Sequence, residues 1–546
     1  MTEDSVPFWR WPEKTLFKLQ GIVCQASDET RAVVLVTVIL FGIAMIVLRC
    51  ATEFGILVSP DSATYLSVAE SLQEKQTFTT YENARLSHYP PGYPLTLAGF
   101  SAVTPFDVRF GGPRMVHSLA FAIFVSSTFV FLFYASRSML FSVLSSLLVL
   151  NSIHLINVFS LALSEGPFIC ATAIGTFLLS AHIASGRMRE LRLAAVFVGY
   201  ACLVRFVGIV WIGCFAFLLL CSERQFRRAV WNVTEFVAIS ATPMLVWFGT
   251  SLFTSESATN RSFAWHPVGL ADAKELLVSF LIFFTIQDGM LWLCVGALLS
   301  GACLVFTLKR IFCRAIARSE LSSIFVCIVT VTVVGYFIFL VLSKSFIDRA
   351  TPFDARLLSP VAWVMIPAGC MSLAPNLNLS RLQPATIRDC TLGCCFLLVV
   401  GGSIDTFLFR FESCRTGKLG LSGRLEEDRI LHRWLSDMPK EVLVYSDLPF
   451  LPYLARKVRP SLSLPDKSNY TSGGRNEDYG QQVEVVRQML QNGRAVLVYW
   501  EDAAYKEFHT PMTWEEILDV SRGLEVHRYS RYSTVGIPLL SADSIR

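Results

Sequence analysis

The chain has 546 residues, of which 53% are hydrophobic and only 16% charged, with a formal net charge of +4. Soluble globular domains average about half apolar and a quarter charged, so a wholly soluble fold is excluded. The net charge says little, because its distribution decides more than its size, and no nucleic-acid partner is read from it.

The apolar residues are clustered. Arg31–Cys50, Met115–Ser136, Glu320–Leu342 and Leu392–Phe409 each supply close to the ~20 apolar residues that cross ~30 Å of hydrocarbon. The first stretch begins behind tryptophans and charges, and no small-residue cleavage site follows it. It reads as a retained anchor and not a signal peptide. Spans are expected near 31–50, 114–136, 138–158, 162–183, 192–204, 206–221, 229–251, 288–308, 321–343, 358–374 and 391–409, about eleven in all. The fifth and sixth come from one apolar run interrupted by Arg205, so two short helices are expected to meet at mid-membrane.

Basic residues in short loops orient such a bundle. The turns at Arg187/Arg189/Arg192, Arg224/Arg227/Arg228, Lys309/Arg310/Arg314/Arg318 and Arg381/Arg388 all fall on one side if the N-terminus is cytoplasmic. Arg10, Lys14, Lys18 and Arg31 in the N-terminal segment 1–30 join them. The transmembrane domain then covers 31–409, with outer loops 51–112, 252–287 and 344–357, and residues 410–546 lie outside the cytoplasm. The expected location is the plasma (inner) membrane of a bacterium, crossed many times.

The C-terminal region changes character. Leu425–Leu435 reads as an amphipathic helix, and EVLVYS (441–446) and AVLVYW (495–500) suit buried parallel strands. Between the strands, Tyr479–Asn492 has helical spacing and stops at Gly493. Thr513 and Glu516 form a capping-box pattern. A small α/β domain follows a mainly α bundle, and no Gly-rich loop after either strand marks a nucleotide site. Of fifteen cysteines only Cys414 falls in this domain, so no internal disulfide staples it. The others, including Cys394-Cys395, sit in or beside apolar runs and read as small apolar fillers. No spacing suits a metal, and no cofactor is assigned, with a divalent ion left open.

The outer loops hold the residues suited to chemistry. Ser59-Pro60-Asp61-Ser62 opens an amphipathic helix. Asp61 there is either a carboxylate serving the helix N-terminus or a general base at the membrane surface. Arg85 through Pro94 carries three prolines in five positions, which stiffen an extended turn. The run Leu95–Val103 that follows is too short to span and is expected along the interface. Ser164-Glu165 opens the fourth span, and Asn260–Pro267, Asp348-Arg349 and Asp354–Pro360 lie in the other outer loops. A charge at mid-depth costs at least ~2.5–3.5 kcal/mol without a partner or a wet cavity, so Glu165 and Arg205 either pair with each other or face such a cavity.

In order, PDSxxYL around Asp61, HYPPGYP (88–94), LSE (163–165), Arg205, WHP (265–267) and RLLSP (356–360) resemble the GT-C superfamily of membrane glycosyltransferases. The resemblance is to the bacterial branch allied to protein O-mannosyltransferases and the lipid A aminoarabinose transferase, and it covers residues 31–440. It implies an inverting, extracytoplasmic transfer of a sugar from a polyprenyl-phosphate carrier to a hydroxyl of a glycan, lipid or protein acceptor. A lipid phosphate departs as a stable anion, so one base suffices, where glycosidases use two carboxylates. Asp61 would be that base. Arg85, His88, Arg261, His266 and Arg356 would hold the donor phosphate through charge-assisted bonds, and Tyr65, Tyr93, Glu165 and Arg205 would line the substrate cavity. The chain departs from many relatives in two places. Ser62 stands where a second acid is common, and His88-Tyr89 precede the proline pair where lysine is frequent.

The rival class is a transporter or flippase for a lipid-linked or amphipathic solute. It accounts for the spans, Glu165 and Arg205, but no inverted repeat or paired broken helices support it. A catalytically silent scaffold is a third reading. The topology can be tested directly. A reporter fused after Arg546 is expected to be active only outside the cytoplasm, and one at Arg228 only inside. Swapped signals would overturn both the topology and the shared compartment of Asp61 and Arg356.

Overall fold

The protein is described by a computed structural model over residues 27–53, 55–254, 265, 267–281, 300–301, 303–309, 320–347, 353–373, 393, 442–456, 461–468, 475–500, 512–528 and 532–535. The segment before residue 27, most of spans 288–308 and 391–409, helix 425–435 and Cys414 lie outside the described residues, as do Arg261, His266, Asp348 and Arg349.

Helix α1 (Asp28–Ala51) starts where the Ser27 hydroxyl accepts from the Thr30 amide, with Asp28 and Glu29 in its first turn and Arg49 in its last. Both charge placements complement the helix dipole. Helices α2 (Pro60–Lys75) and α3 (Gly92–Val103) form the first connection, and α4 (Gly111–Ser136) returns along α1. The span expected over 138–158 is instead two helices, α5 (Met139–Asn151) and α6 (Ile153–Phe159), bent by 60°. The cause is local: the Ser152 hydroxyl accepts from the Leu155 amide, capping a new helix where the old one would continue. Helix α7 (Glu165–Ser185) ends at Gly186, whose φ of +71° suits glycine at a helix C-terminus. Helix α8 (Met188–Val204) runs back along it.

After α8, Arg205 is extended and a single 3₁₀ turn (Phe206–Gly208) leads into α9 (Ile209–Ser222), α10 (Phe226–Thr254), α11 (Leu270–Leu281) and α12 (Leu321–Phe346). The span expected over 358–374 is split into α13 (Ala355–Ala362) and α14 (Met365–Leu373). Among the described residues, five helices are long and apolar enough to cross a membrane, six if the bent α5–α6 pair counts as one. Helix α4 lies at the centre, 78% buried over its apolar window, whereas α1 is only 22% buried. Val34, Leu35, Val38, Ile39 and Ile46 on α1 are exposed, an apolar stripe of the kind a lipid bilayer covers.

The C-terminal region is a mixed five-stranded sheet in the order β2-β1-β3-β5-β4. Strands β1 (Leu443–Ser446), β2 (Ser461–Ser463) and β3 (Ala495–Trp500) are parallel, with Val444 opposite Val496, as the two apolar runs predict. Strands β4 (Val526–Arg528) and β5 (Tyr532–Val535) add antiparallel pairs. Helix α15 (Phe450–Arg456) follows β1, α16 (Tyr479–Gln491) precedes β3, and α17 (Trp514–Val520) carries the Thr513/Glu516 capping box.

The boundary placed at residue 410 does not divide the packing. Phe450, Tyr453 and Leu454 of α15 belong to the core of the helical bundle, while the sheet and α16–α17 have a core of their own. Tyr453 donates to Glu70 of α2 at 2.9 Å and stacks on Tyr81 at 5.3 Å between ring centroids. The Ser461 amide donates to the Tyr81 carbonyl at 3.2 Å. Buried Arg109 donates to the carbonyls of Tyr453 (2.8 Å) and Leu454 (3.2 Å). These contacts put the first loop and the C-terminal region on the same side of any membrane the bundle crosses. Arg109→Ala strips a charged donor from two buried carbonyls and is expected to cost about 2–3 kcal/mol. Hydrogen exchange at the Ser461 amide should accelerate with it, and an unchanged rate would show that Arg109 does not hold the docking.

Candidate active site

The backbone first brings two distant segments together. Just after α1, the Leu57 amide donates to the Ser160 carbonyl and the Leu57 carbonyl accepts from the Ala162 amide, both at 2.8 Å. This short parallel bridge sets the start of α2 beside the start of α7, and so Asp61 near Glu165. On the far side, Gly92 lies so close to Leu203 that a Cβ there would sit 2.6 Å from the Leu203 carbonyl carbon. Only glycine permits the proline-rich turn to press against the α8 elbow. Thr96 and Tyr200 hydroxyls, 2.8 Å apart, fasten α3 to α8 in the same region.

Helix α2 begins with a reciprocal cap that does not use Asp61. Ser59 accepts from the Ser62 amide at 3.3 Å, and Ser62 accepts from the Ser59 amide at 3.0 Å. The capping hydrogen bonds at the start of α2 are thus made by the serines, and Asp61 is the acidic residue of its first turn. Ser62 serves the backbone. Asp61 turns instead to the proline-rich loop and accepts from the Tyr89 hydroxyl at 2.8 Å.

The charges form one connected cluster. Arg205 Nη1 lies 2.6 Å from Glu165 Oε1 and donates to the Ser164 hydroxyl at 3.3 Å. Arg356 stands among three carboxylates: 3.8 Å from Asp61, 3.6 Å from Glu165 and 3.7 Å from Asp354. Asp354 caps α13 by accepting from the Leu357 amide at 2.8 Å, and Tyr336 donates to the Leu357 carbonyl at 2.6 Å. Both bonds fix the backbone that presents Arg356. Glu165 is the first residue of α7 and only 2% exposed. Arg205, bound to it, lies at that end of α7, where α8 gives way to the 3₁₀ turn.

The cluster forms one end of a cavity of ≈ 590 Å³. Asp61, Tyr65, His88, Tyr89, Ser164, Glu165, Arg205 and Arg356 line the polar end. Phe206, Ile209, Met244, Phe248 and Phe339, from the 3₁₀ turn, α9, α10 and α12, line an apolar wall. Tyr65 hydrogen-bonds Ser164 at 3.3 Å, and burial pushes its phenol above the ordinary tyrosine range, so it stays protonated.

Two expected residues fall elsewhere. Arg85 does not line the cavity, and its backbone pairs with Thr79 in a short hairpin. Tyr93 lies one layer behind Tyr65, fully buried and bonded to His117 at 2.8 Å. Tyr89 and Tyr336 were not singled out from the sequence. Tyr89 stood inside the HYPPGYP motif, whereas nothing in the apolar run around Tyr336 marks it. Among the described residues no group of three or more His, Cys, Asp or Glu side chains is arranged to hold a metal ion.

The cap assignment has a direct test. Ser59→Ala should cost about 1 kcal/mol and speed hydrogen exchange at the Ser62 amide. Asp61→Asn loses only a partly exposed ion pair, roughly 0.2–1 kcal/mol, and should leave that exchange rate unchanged. Faster exchange in the Asn variant would return Asp61 to a capping role.

No protein-family model and no curated protein matches the sequence. Solved structures do resemble the fold. ArnT from Cupriavidus metallidurans in the apo state superposes with a TM-score of 0.59 at 13% identity, over 94% of this chain and 100% of that one. ArnT bound to undecaprenyl phosphate gives 0.52 at 12% identity, over 92% and 99%. At such identities the likeness is one of architecture, and it extends across the bundle and the C-terminal region together. The chain has the fold seen in these ArnT structures.

Proposed function

We propose that the protein is a membrane glycosyltransferase that moves a sugar from a polyprenyl-phosphate carrier to an acceptor hydroxyl on the extracytoplasmic side, with inversion. One observation carries the reading: a single cavity is lined by the clustered carboxylates and guanidinium groups and by many apolar side chains. A lipid phosphate has that same division, a charged head on a hydrocarbon chain. ArnT, whose fold is similar, has been seen with undecaprenyl phosphate bound. The plasma membrane of a bacterium is the proposed location.

The chemistry follows from the cluster. Asp61 takes the proton of the acceptor hydroxyl as its oxygen attacks the anomeric carbon of the sugar. The new carbon–oxygen bond forms while the bond from that carbon to the phosphate oxygen breaks, and the electron pair leaves with the phosphate. Tyr89, donating to Asp61, holds the carboxylate in place with its remaining lone pairs available. Arg356 sits beside Asp61 and meets the charge that develops on the leaving phosphate. His88 lines the same end. Arg261 and His266 stay in the donor set on the sequence resemblance, and Arg85 leaves it. Glycan, lipid and protein all supply suitable acceptor hydroxyls.

Removing the base while keeping its shape separates this reading from transport. Asp61→Asn should slow transfer from a labelled polyprenyl-phosphate sugar roughly 10²–10⁴-fold, with donor binding retained. Near-normal turnover in a monodisperse Asn variant would move the base to another carboxylate, Glu165 first. Arg356→Ala should weaken donor use by about 2–3 kcal/mol. Lysine there should recover only part, since it lacks the bidentate fork. Movement of intact lipid-linked sugar across vesicles without any transfer would favour the transporter.

A further inference from the structure

Arg205 and Arg356 are held differently. Arg205 is committed to Glu165 at 2.6 Å. Arg356 faces three carboxylates, each 3.6–3.8 Å away, beyond an ordinary hydrogen bond. Among the described residues, the cluster holds two guanidinium groups against the three carboxylates of Asp61, Glu165 and Asp354, a sum of minus one. A site built only to grip phosphate would carry the opposite sign. Glu165 Oε2 is buried and has no hydrogen-bond partner among the described residues, so that carboxylate keeps unspent acceptor capacity beside the guanidinium groups.

We propose that Glu165, seconded by Asp354, is a counter-anion that keeps Arg356 from trapping the spent lipid phosphate, and so sets the rate of product release. The proposal rests on the lipid-phosphate reading of the cavity. A donor phosphodiester carries one negative charge. When the sugar–oxygen bond breaks, the departing phosphomonoester carries between one and two at neutral pH, its second ionisation lying near pH 6. A guanidinium free of neighbours would therefore hold the product more tightly than the substrate. The carboxylate of Glu165 already stands at Arg356 and cannot leave, being the first residue of α7 and tied to Arg205. It competes for Arg356 throughout the cycle and weighs most against the more highly charged ligand. Glu165 is on this account a positioning residue, acting through Arg356.

The experiment measures binding of two probes to purified full-length protein in nanodiscs: a polyprenyl phosphomonoester and a phosphodiester of the same chain. Glu165→Gln keeps volume and removes one negative charge. It should tighten monoester binding at least about fivefold, since charges a few ångströms apart couple strongly where water is scarce. The diester should gain less, and steady-state turnover should fall more than KM for the donor. Asp354→Asn keeps the capping oxygen for the Leu357 amide and should shift the monoester in the same direction by a smaller factor, about twofold. Unchanged or weaker monoester binding in a monodisperse Gln variant overturns the proposal, as does an equal gain for both probes. Should the Gln variant fail to fold, unchanged binding in the Asn variant overturns it alone. A wild type that binds neither probe strikes the lipid-phosphate reading itself, and this inference with it.

Discussion

A carboxylate at the head of an apolar helix must be neutralised where it stands, and the site is organised by how Glu165 meets that demand. An isolated buried charge would cost several kcal/mol. The partner cannot come from α7 itself, whose next residues are apolar, so it arrives from the break between α8 and α9. That break is why Arg205 is extended and why the following helix restarts through a 3₁₀ turn. Once Arg205 is spent on Glu165, Arg356 completes the cluster from α13 and brings Asp61 into it. Three separate stretches of chain are thus drawn to one point by electrostatics, and the apolar helices between them enclose the cavity.

Much of this was legible in the sequence, for identifiable reasons. Hydrophobic runs of bilayer length announce the bundle, and β1, β3 and the Thr513 cap follow from short-range patterns that need only neighbouring residues. Asp61, Glu165, Arg205 and Arg356 were named together because the motifs around them, taken in order, resemble one membrane-enzyme superfamily, and the structure brings the four side chains into one cluster. What failed to show depends on exact local geometry or on distant partners. The bend at Ser152 turns on one hydroxyl choosing a cap over a helix. Asp61 resembled a cap because serines and prolines around it all favour helix starts, and only the coordinates separate the roles of Ser59, Asp61 and Ser62. Arg85 sits in a short hairpin with Thr79 and does not line the cavity, a placement its local sequence did not signal. The Tyr89 hydroxyl, though inside a quoted motif, gave no hint that it would reach a residue 28 positions away.

The two ends of the cavity impose different physical tolerances. The apolar wall of Phe206, Ile209, Met244, Phe248 and Phe339 can exchange one hydrophobic side chain for another at modest cost, since volume and apolarity are what it supplies. The polar end has no such freedom. Each of its groups is already a partner to another, so removing one leaves a neighbour stranded in a poorly hydrated place. Substitution is expected to be tolerated along the wall, and variation in the cluster is expected to be silencing.

The docking of α15 on the first loop bears on when the protein becomes competent. Tyr453 and Glu70 are 383 residues apart in the chain. At ~5–20 residues per second of synthesis, that separation amounts to about 20–80 s between the emergence of the loop and of the helix that braces it. Throughout that interval Tyr81, and the hairpin leading to His88 and Tyr89, lack the contact with Tyr453 and Ser461. The brace closes only after the helices in between have been made and inserted. A partly made or wrongly threaded chain would therefore display its earliest loop without assembling the place where chemistry occurs. The first loop is thus braced only once synthesis has passed Ser461.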